Sequence, residues 1–319
     1  MTTGYFAAVL SIIEKVGTGK TIYVAASGPL AAVPWAALPA SAGSDGKVSW
    51  AIESGNFVTM PSASSLVLTR SLPASRASKP FLAFADPSYD GASVSAMPSG
   101  SATQRNVATG PSSKSVADFD YRKLNRLPET LDEVKAIAAA VGGDAASIIS
   151  GVSATRSRVL KDDLSQAKLL AFATHGLYPG EVPGQFQAGL AMAYEGAGLK
   201  DSVLTVEDVS NLRLNADIVL LSACNTGFAT GGVGDSVSAL ARGFFIAGAR
   251  SLLVTAWAVE SESAKELMVG TFKAMQGTTV SKAKALADTQ RAMLGGKYGE
   301  RYRHPFFWAP YFLVGDAAR

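Results

Sequence analysis

Apolar residues in this chain gather in short runs that end on small or polar residues, and these runs alternate with stretches spaced as amphipathic helices. The runs at 80–86, 168–174, 217–221 and 250–257 carry hydrophobic side chains at successive positions. Such strands bury both faces, as the strands of a parallel sheet do. Between them the spacing predicts helices over 131–141, 154–164, 235–247, 260–275 and 280–294. Thr130 and Glu133 stand as a capping box, Ser153 caps the second of these helices, and Thr205-Val-Glu-Asp208 opens a further short one. Lesser strands are predicted over 147–149, 189–194 and 307–314. This alternation describes an α/β fold whose sheet is covered on both sides.

The first part reads differently. Residues 5–16 have helical spacing and 20–26 that of a strand, while 34–38, 48–52 and 57–60 read as short strands and turns before a helix that begins at 61–64. Residues 1–76 are therefore a smaller α+β portion preceding the core at 77–319. Within the core, residues at about 89–118 are rich in Ser, Gly, Ala and Thr, which predicts a mobile surface insertion.

Composition narrows the function classes. With 48% apolar and 17% charged residues the chain is globular. Its 29 basic and 26 acidic residues are dispersed, so no nucleic-acid partner is predicted. One cysteine excludes an internal disulfide, and with two histidines it falls short of a zinc site; neither a metal nor an organic cofactor is called for. The apolar run at 5–13 lacks a preceding basic residue and runs into Glu14 and Lys15, unlike a signal peptide, and no stretch has the length of a membrane span. The expectation is a cytoplasmic protein without a membrane partner. Gly17-Thr-Gly-Lys-Thr21 fails as a phosphate loop, because the motif's first glycine falls on Glu14 and a strand follows where a helix is needed.

Two strands end alike. Lys168-Leu-Leu-Ala-Phe-Ala-Thr runs into His175 and Gly176, and Asp217-Ile-Val-Leu-Leu-Ser-Ala runs into Cys224, Asn225, Thr226 and Gly227. Functional groups of open α/β sheets collect at the carboxyl edge, so neighbouring strands would bring His175 and Cys224 together. A histidine beside a thiol takes its proton or holds the thiolate as an ion pair. The backbone N–H groups of Gly176 and Cys224 would then serve a developing oxyanion, with Thr174 and Ser222 flanking the site. A lone cysteine at the end of a core strand is, however, more often packing than catalysis. Residue type alone leaves both readings open.

Ala173-Thr-His175-Gly176, Leu221-Ser-Ala-Cys224-Asn-Thr-Gly227, Ala241-Arg-Gly-Phe-Phe-Ile-Ala-Gly-Ala249, Trp257 and the aromatic stretch from His304 to Phe312, followed by Val314 and Gly315, resemble the CHAT domain. So do 34–38 and Leu127-Pro-Glu-Thr-Leu-Asp-Glu133, and the resemblance spans about 1–316. CHAT domains are bacterial relatives of the caspases and separases, often found behind tetratricopeptide repeats. The resemblance implies a caspase-like α/β/α sandwich with a mostly parallel sheet. It implies a cysteine endopeptidase with His175 as base, Cys224 as nucleophile, Gly176 and Cys224 as the oxyanion hole, and no catalytic carboxylate. Its partners would be a protein or peptide substrate and a regulatory partner such as a repeat domain. In similar enzymes the primary pocket is lined from the end of the first sheet strand and the strand after the nucleophile. Here that brings forward Asp86, Trp257, Val259 and Glu260, and with them a basic P1 side chain. Against this, Asp86 suits a turn before Pro87 and Glu260 a helix start. Asp235 has the same two readings, and His304, before Pro305, receives no catalytic role. The competing reading of the whole chain is a catalytically silent scaffold or protein-binding module.

Overall fold

The computed structural model describes residues 18–26, 33–42, 48–90, 120–177, 187–196, 199–222, 239–277 and 279–318, with positions 11, 15, 30 and 179. Its strands are β1 (Lys20–Val24), β2 (Pro39–Ala42), β3 (Val48–Trp50), β4 (Gly55–Thr59), β5 (Lys79–Pro87), β6 (Ile148–Gly151) and β7 (Ala167–Ala173). They continue with β8 (Gly176–Leu177), β9 (Gly189–Ala191), β10 (Val203–Thr205), β11 (Ile218–Leu221), β12 (Ser251–Thr255) and β13 (Tyr311–Gly315). The helices are α1 (Ala63–Ser71), α2 (Pro128–Val141), α3 (Arg156–Lys161), α4 (Val206–Ser210), α5 (Ala239–Ile246), α6 (Ser261–Met275), α7 (Lys282–Leu294) and α8 (Pro305–Trp308).

One eight-stranded sheet runs β1-β4-β13-β12-β11-β7-β5-β6. Its neighbours are parallel except β12 and β13, which pair antiparallel. Side-chain alternation sorts the central strands cleanly. Phe81, Ala83, Leu169, Ala171, Ile218 and Leu220 face one core with Val134, Ile137, Leu267, Phe272 and Leu286 from α2, α6 and α7. Leu82, Phe84, Leu170, Phe172, Val219 and Leu221 face the other with Val159, Val209, Leu240 and Phe244 from α3, α4 and α5. Phe172 stacks on Phe84 at 5.4 Å and meets Phe244 at 5.6 Å, and burying each such ring contributes about 1.5–3 kcal/mol.

Several local expectations are corrected. Residues 34–38 hold a 3-10 turn, Trp35–Ala37, not a strand, with Trp35 buried against Leu38 and Ala51. α2 begins at Pro128, because proline at the first helical turn loses no hydrogen bond, and Glu133 lies buried inside the helix instead of closing a capping box. α3 is capped by Thr155, not Ser153, and the stretch at 154–164 ends in a separate 3-10 turn, Leu164–Gln166. The predicted final strand at 307–314 starts only at Tyr311, since Pro305 opens α8 with His304 as its cap. By contrast Thr205 and Asp208 form the expected capping box. Gly248 closes α5 at φ +109°, where an added Cβ would lie 2.5 Å from the Leu214 carbonyl oxygen. The helix expected at 5–16 and the insertion at 89–118 fall almost wholly outside the described residues.

The N-terminal portion is part of the same sheet. β4 pairs with β13, and Arg291 of α7 donates to the carbonyls of Ile52 and Gly55 at 2.7 and 2.9 Å.

Candidate active site

β5, β7 and β11 are parallel neighbours, so Asp86, Thr174 and Ser222 come out on one rim of the sheet. Ser222 extends the ladder, its N–H reaching the Phe172 carbonyl at 2.9 Å. His175 lies two positions beyond the end of β7 and is partly exposed. Cys224 lies two positions beyond Ser222, and it is outside the described residues, as is Asp235.

The His175 imidazole is held on one side by a carbonyl. Its Nε2 lies 2.8 Å from the oxygen of Asn125. A carbonyl only accepts, so Nε2 carries the proton and the basic lone pair is on Nδ1. Tyr89 packs against the ring with centroids 5.6 Å apart. The Thr174 hydroxyl donates to the Ala191 carbonyl, which spends its one proton, so the Tyr89 hydroxyl is the donor in its 2.9 Å bond to Thr174. Burial pushes the Tyr89 phenol well above its ordinary pKa, against the opposing pull of Thr174 and His175. It therefore stays a donor.

Beyond β11, Ser222 has the parity of Ile218 and Leu220 and faces α2. Its hydroxyl donates to the buried Glu133 carboxylate at 2.8 Å, leaving Tyr311 as donor to Ser222 at 3.0 Å. Thr174, one position before His175, and Ser222, two positions before Cys224, are thus fixed by buried hydrogen bonds.

The four side chains expected to bind substrate are placed as follows. Asp86 is 3% exposed, has φ +43°, and accepts from Arg126 through both Nε, at 2.8 Å, and Nη2. Its carboxylate also accepts the Leu127 N–H at 3.2 Å. The Arg126 guanidinium is held above its ordinary pKa chiefly by that hydrogen bond. Glu260 caps α6 through Ser263 N–H at 2.8 Å and accepts from Arg301 at 2.7 Å. Val259 is buried, and Trp257 donates to the Phe306 carbonyl at 3.3 Å. Each carboxylate thus has its own arginine. Gly176 begins β8 opposite Leu190 of β9. His304 is exposed and caps α8, accepting the Phe306 N–H at 3.2 Å.

Asn125, Arg126, Tyr89 and Glu133 were not singled out for the site from sequence. A carbonyl leaves no signature in residue type, and Tyr89 and Glu133 are noticed only once the sheet sets them beside His175 and Ser222. A cavity of about 440 Å3 lined by Leu160, Asp162, Asp163, Asp208 and Arg213 contains no histidine, and Asp208 there is bound by both Arg156 donors, at 2.8 and 2.6 Å. The chemistry lies elsewhere. Among the described residues no group of three His, Cys, Asp or Glu side chains is placed to hold a metal ion, and no helix is long and apolar enough to cross a membrane.

The family model of the CHAT domain matches residues 6–316. The chain belongs to the CHAT domain family. Tetratricopeptide repeat protein 28 of Mus musculus is 32% identical over 119 residues, covering 37% of this chain and 5% of that protein. Its Homo sapiens counterpart is 30% identical over 118 residues, again 5% of the protein. The CHAT chain thus spans a small part of the curated relatives it matches. Among solved structures, Saccharomyces cerevisiae separase in complex with securin aligns with a TM-score of 0.52 at 12% identity, over 92% of this chain and 15% of that one. The Arg-specific cysteine proteinase gingipain R aligns over 59% of this chain and 42% of that one, at 11% identity and a TM-score of 0.41. The mixed α/β fold with a large, mostly parallel sheet is similar to that of separase.

Proposed function

We propose that this CHAT domain is a cysteine endopeptidase that uses a dyad of His175 and Cys224. The observation that carries the reading is the His175 ring, tied through Nε2 to the Asn125 carbonyl at the rim where the strand leading to Cys224 also ends. Nδ1 takes the thiol proton, and the Cys224 sulfur attacks the scissile carbonyl carbon. The resulting oxyanion is met by the backbone N–H groups of Gly176 and Cys224. The imidazolium then gives its proton to the departing amine, leaving a thioester that water hydrolyses with His175 again as base. The carbonyl of Asn125 does the orienting work that a carboxylate does in a triad.

A basic P1 residue is the specificity we propose, with Glu260, Trp257 and Val259 on the pocket wall. Glu260 is buried while Arg301 keeps 54% of its side chain exposed, so a substrate arginine that displaces Arg301 would inherit a charge-assisted hydrogen bond to Glu260. Control by a protein partner such as a repeat domain fits the relatives, which are tetratricopeptide repeat proteins.

The test is incubation with peptidyl acyloxymethyl ketones carrying Arg, Leu or Asp at P1, followed by intact mass. One adduct is expected on Cys224, fastest with Arg, and absent in His175→Ala and Cys224→Ala. A folded protein that reacts with none of the probes, alone or with repeat-domain partners, would instead be a scaffold.

A further inference from the structure

We propose that Asp86 and Arg126 are positioning residues for the His175 imidazole, acting through the one peptide group that they hold between them. The proposal rests on the dyad reading for its catalytic consequence, and on geometry alone for the positioning itself. The carbonyl that receives His175 Nε2–H belongs to the peptide joining Asn125 to Arg126. That unit is planar, so whatever fixes Arg126 fixes the direction of the Asn125 oxygen.

Asp86 fixes it from several directions. Its carboxylate grips the Arg126 fork at Nε and Nη2 and takes the N–H of the next residue, Leu127. The Asp86 backbone N–H donates to Thr130 Oγ1 at 3.1 Å, and Thr130 in turn donates to the Leu127 carbonyl at 2.7 Å. Arg126 Nη2 also reaches the Asp86 carbonyl at 3.4 Å. The turn before α2 is therefore laced to the end of β5 by one acidic residue. Three positions further along, Tyr89 packs its ring against the histidine.

The identity of residue 86 suits this role. At φ +43° a side chain other than glycine is strained, and Asp and Asn tolerate that conformation best. A buried carboxylate whose acceptor sites go to one bidentate arginine and one backbone N–H has little left for a substrate. This separates its work from that of Glu260, whose arginine partner is half-exposed.

With only two histidines in the chain, 15N-histidine labelling gives two ring systems, and His304→Gln assigns them. The ring nitrogen shifts report the tautomer. Wild-type His175 is expected as the Nε2–H form. Asp86→Asn keeps the residue type suited to φ +43° but removes the charge, and Arg126→Gln removes the fork while leaving Asp86 on Leu127. Both are expected to mix the two tautomers and to slow alkylation of Cys224 by iodoacetamide by roughly tenfold to a hundredfold. Arg126→Lys restores part of that rate. A wild-type ring in the Nδ1–H form overturns the proposal without any variant, as does an unchanged ring signature in either folded variant. Failure of the dyad reading looks different: Cys224 would alkylate equally fast in wild type and His175→Ala, while the tautomer still responded to Asp86→Asn.

Discussion

The two rims of the sheet handle charge in opposite ways. At the carboxyl rim, Asp86, Glu133, Thr174 and Ser222 are buried, and each has a partner at hydrogen-bonding distance in a fixed direction. At the amino rim, Arg250 approaches Asp217 only at 4.0 Å and donates instead to the Asn215 side-chain oxygen at 3.0 Å and to the Pro73 carbonyl, while Lys282, although 2% exposed, reaches no carboxylate among the described residues, only the Asp316 carbonyl at 3.3 Å. Burial accordingly lowers the Lys282 pKa, with Asp217 and Asp316 opposing and Arg250 assisting. The same sheet thus pairs the buried Asp86 carboxylate directly with a cation at one rim, and at the other holds its cations on neutral oxygens. A buried ion without a close partner is weak evidence for stability, whereas breaking a satisfied network leaves groups stranded.

The largest effect that would sharpen this contrast is expected from Glu133→Leu. It removes the carboxylate that accepts the buried Ser222 hydroxyl, and urea unfolding should show a loss of about 1–3 kcal/mol. A loss below about 1 kcal/mol would break the contrast at its strongest point. Tyr89→Phe comes next, at about 1–2 kcal/mol near neutral pH. Because the folded phenol titrates above its unfolded value, that contribution is complete below the ordinary phenol pKa of about 10 and is lost as the pH rises further. Wild type and variant should converge in alkaline unfolding series. Lys282→Met should change stability by less than about 1 kcal/mol in either direction, and a severe loss would mean that the amino rim is as tightly organised as the other.

The strands were legible because both of their faces are buried: continuous runs such as Phe81 to Ala85 and Ile218 to Leu221 admit few other readings at that length. The order β13-β12-β11-β7-β5 was not, since spacing along a chain carries no record of which strands lie together. His175 stood out by rarity and by its place at a strand end. Its orienting partner is a backbone group of Asn125, and no side-chain pattern announces a carbonyl. Asp86 is noticed in the sequence as a carboxylate at a strand end, with a substrate contact and a turn before Pro87 both open. The arginine that occupies it lies forty positions away, beyond a stretch with no hydrophobic rhythm. Local rules also failed where two caps competed, as at Ser153 and Thr155, because tertiary packing decided which residue left the turn.

The place of β13 has a consequence for biosynthesis. β13 lies between β12 and β4, paired with both, and among the described residues it alone joins the core strands of the sheet to β4 and β1. While a ribosome is making this domain, β1 and β4 have no edge to join until Tyr311–Gly315 has emerged. β1 and β4 are made before β13 yet placed only beside it, so loss of Tyr311–Gly315 would leave the core with an open flank and that pair without its neighbour.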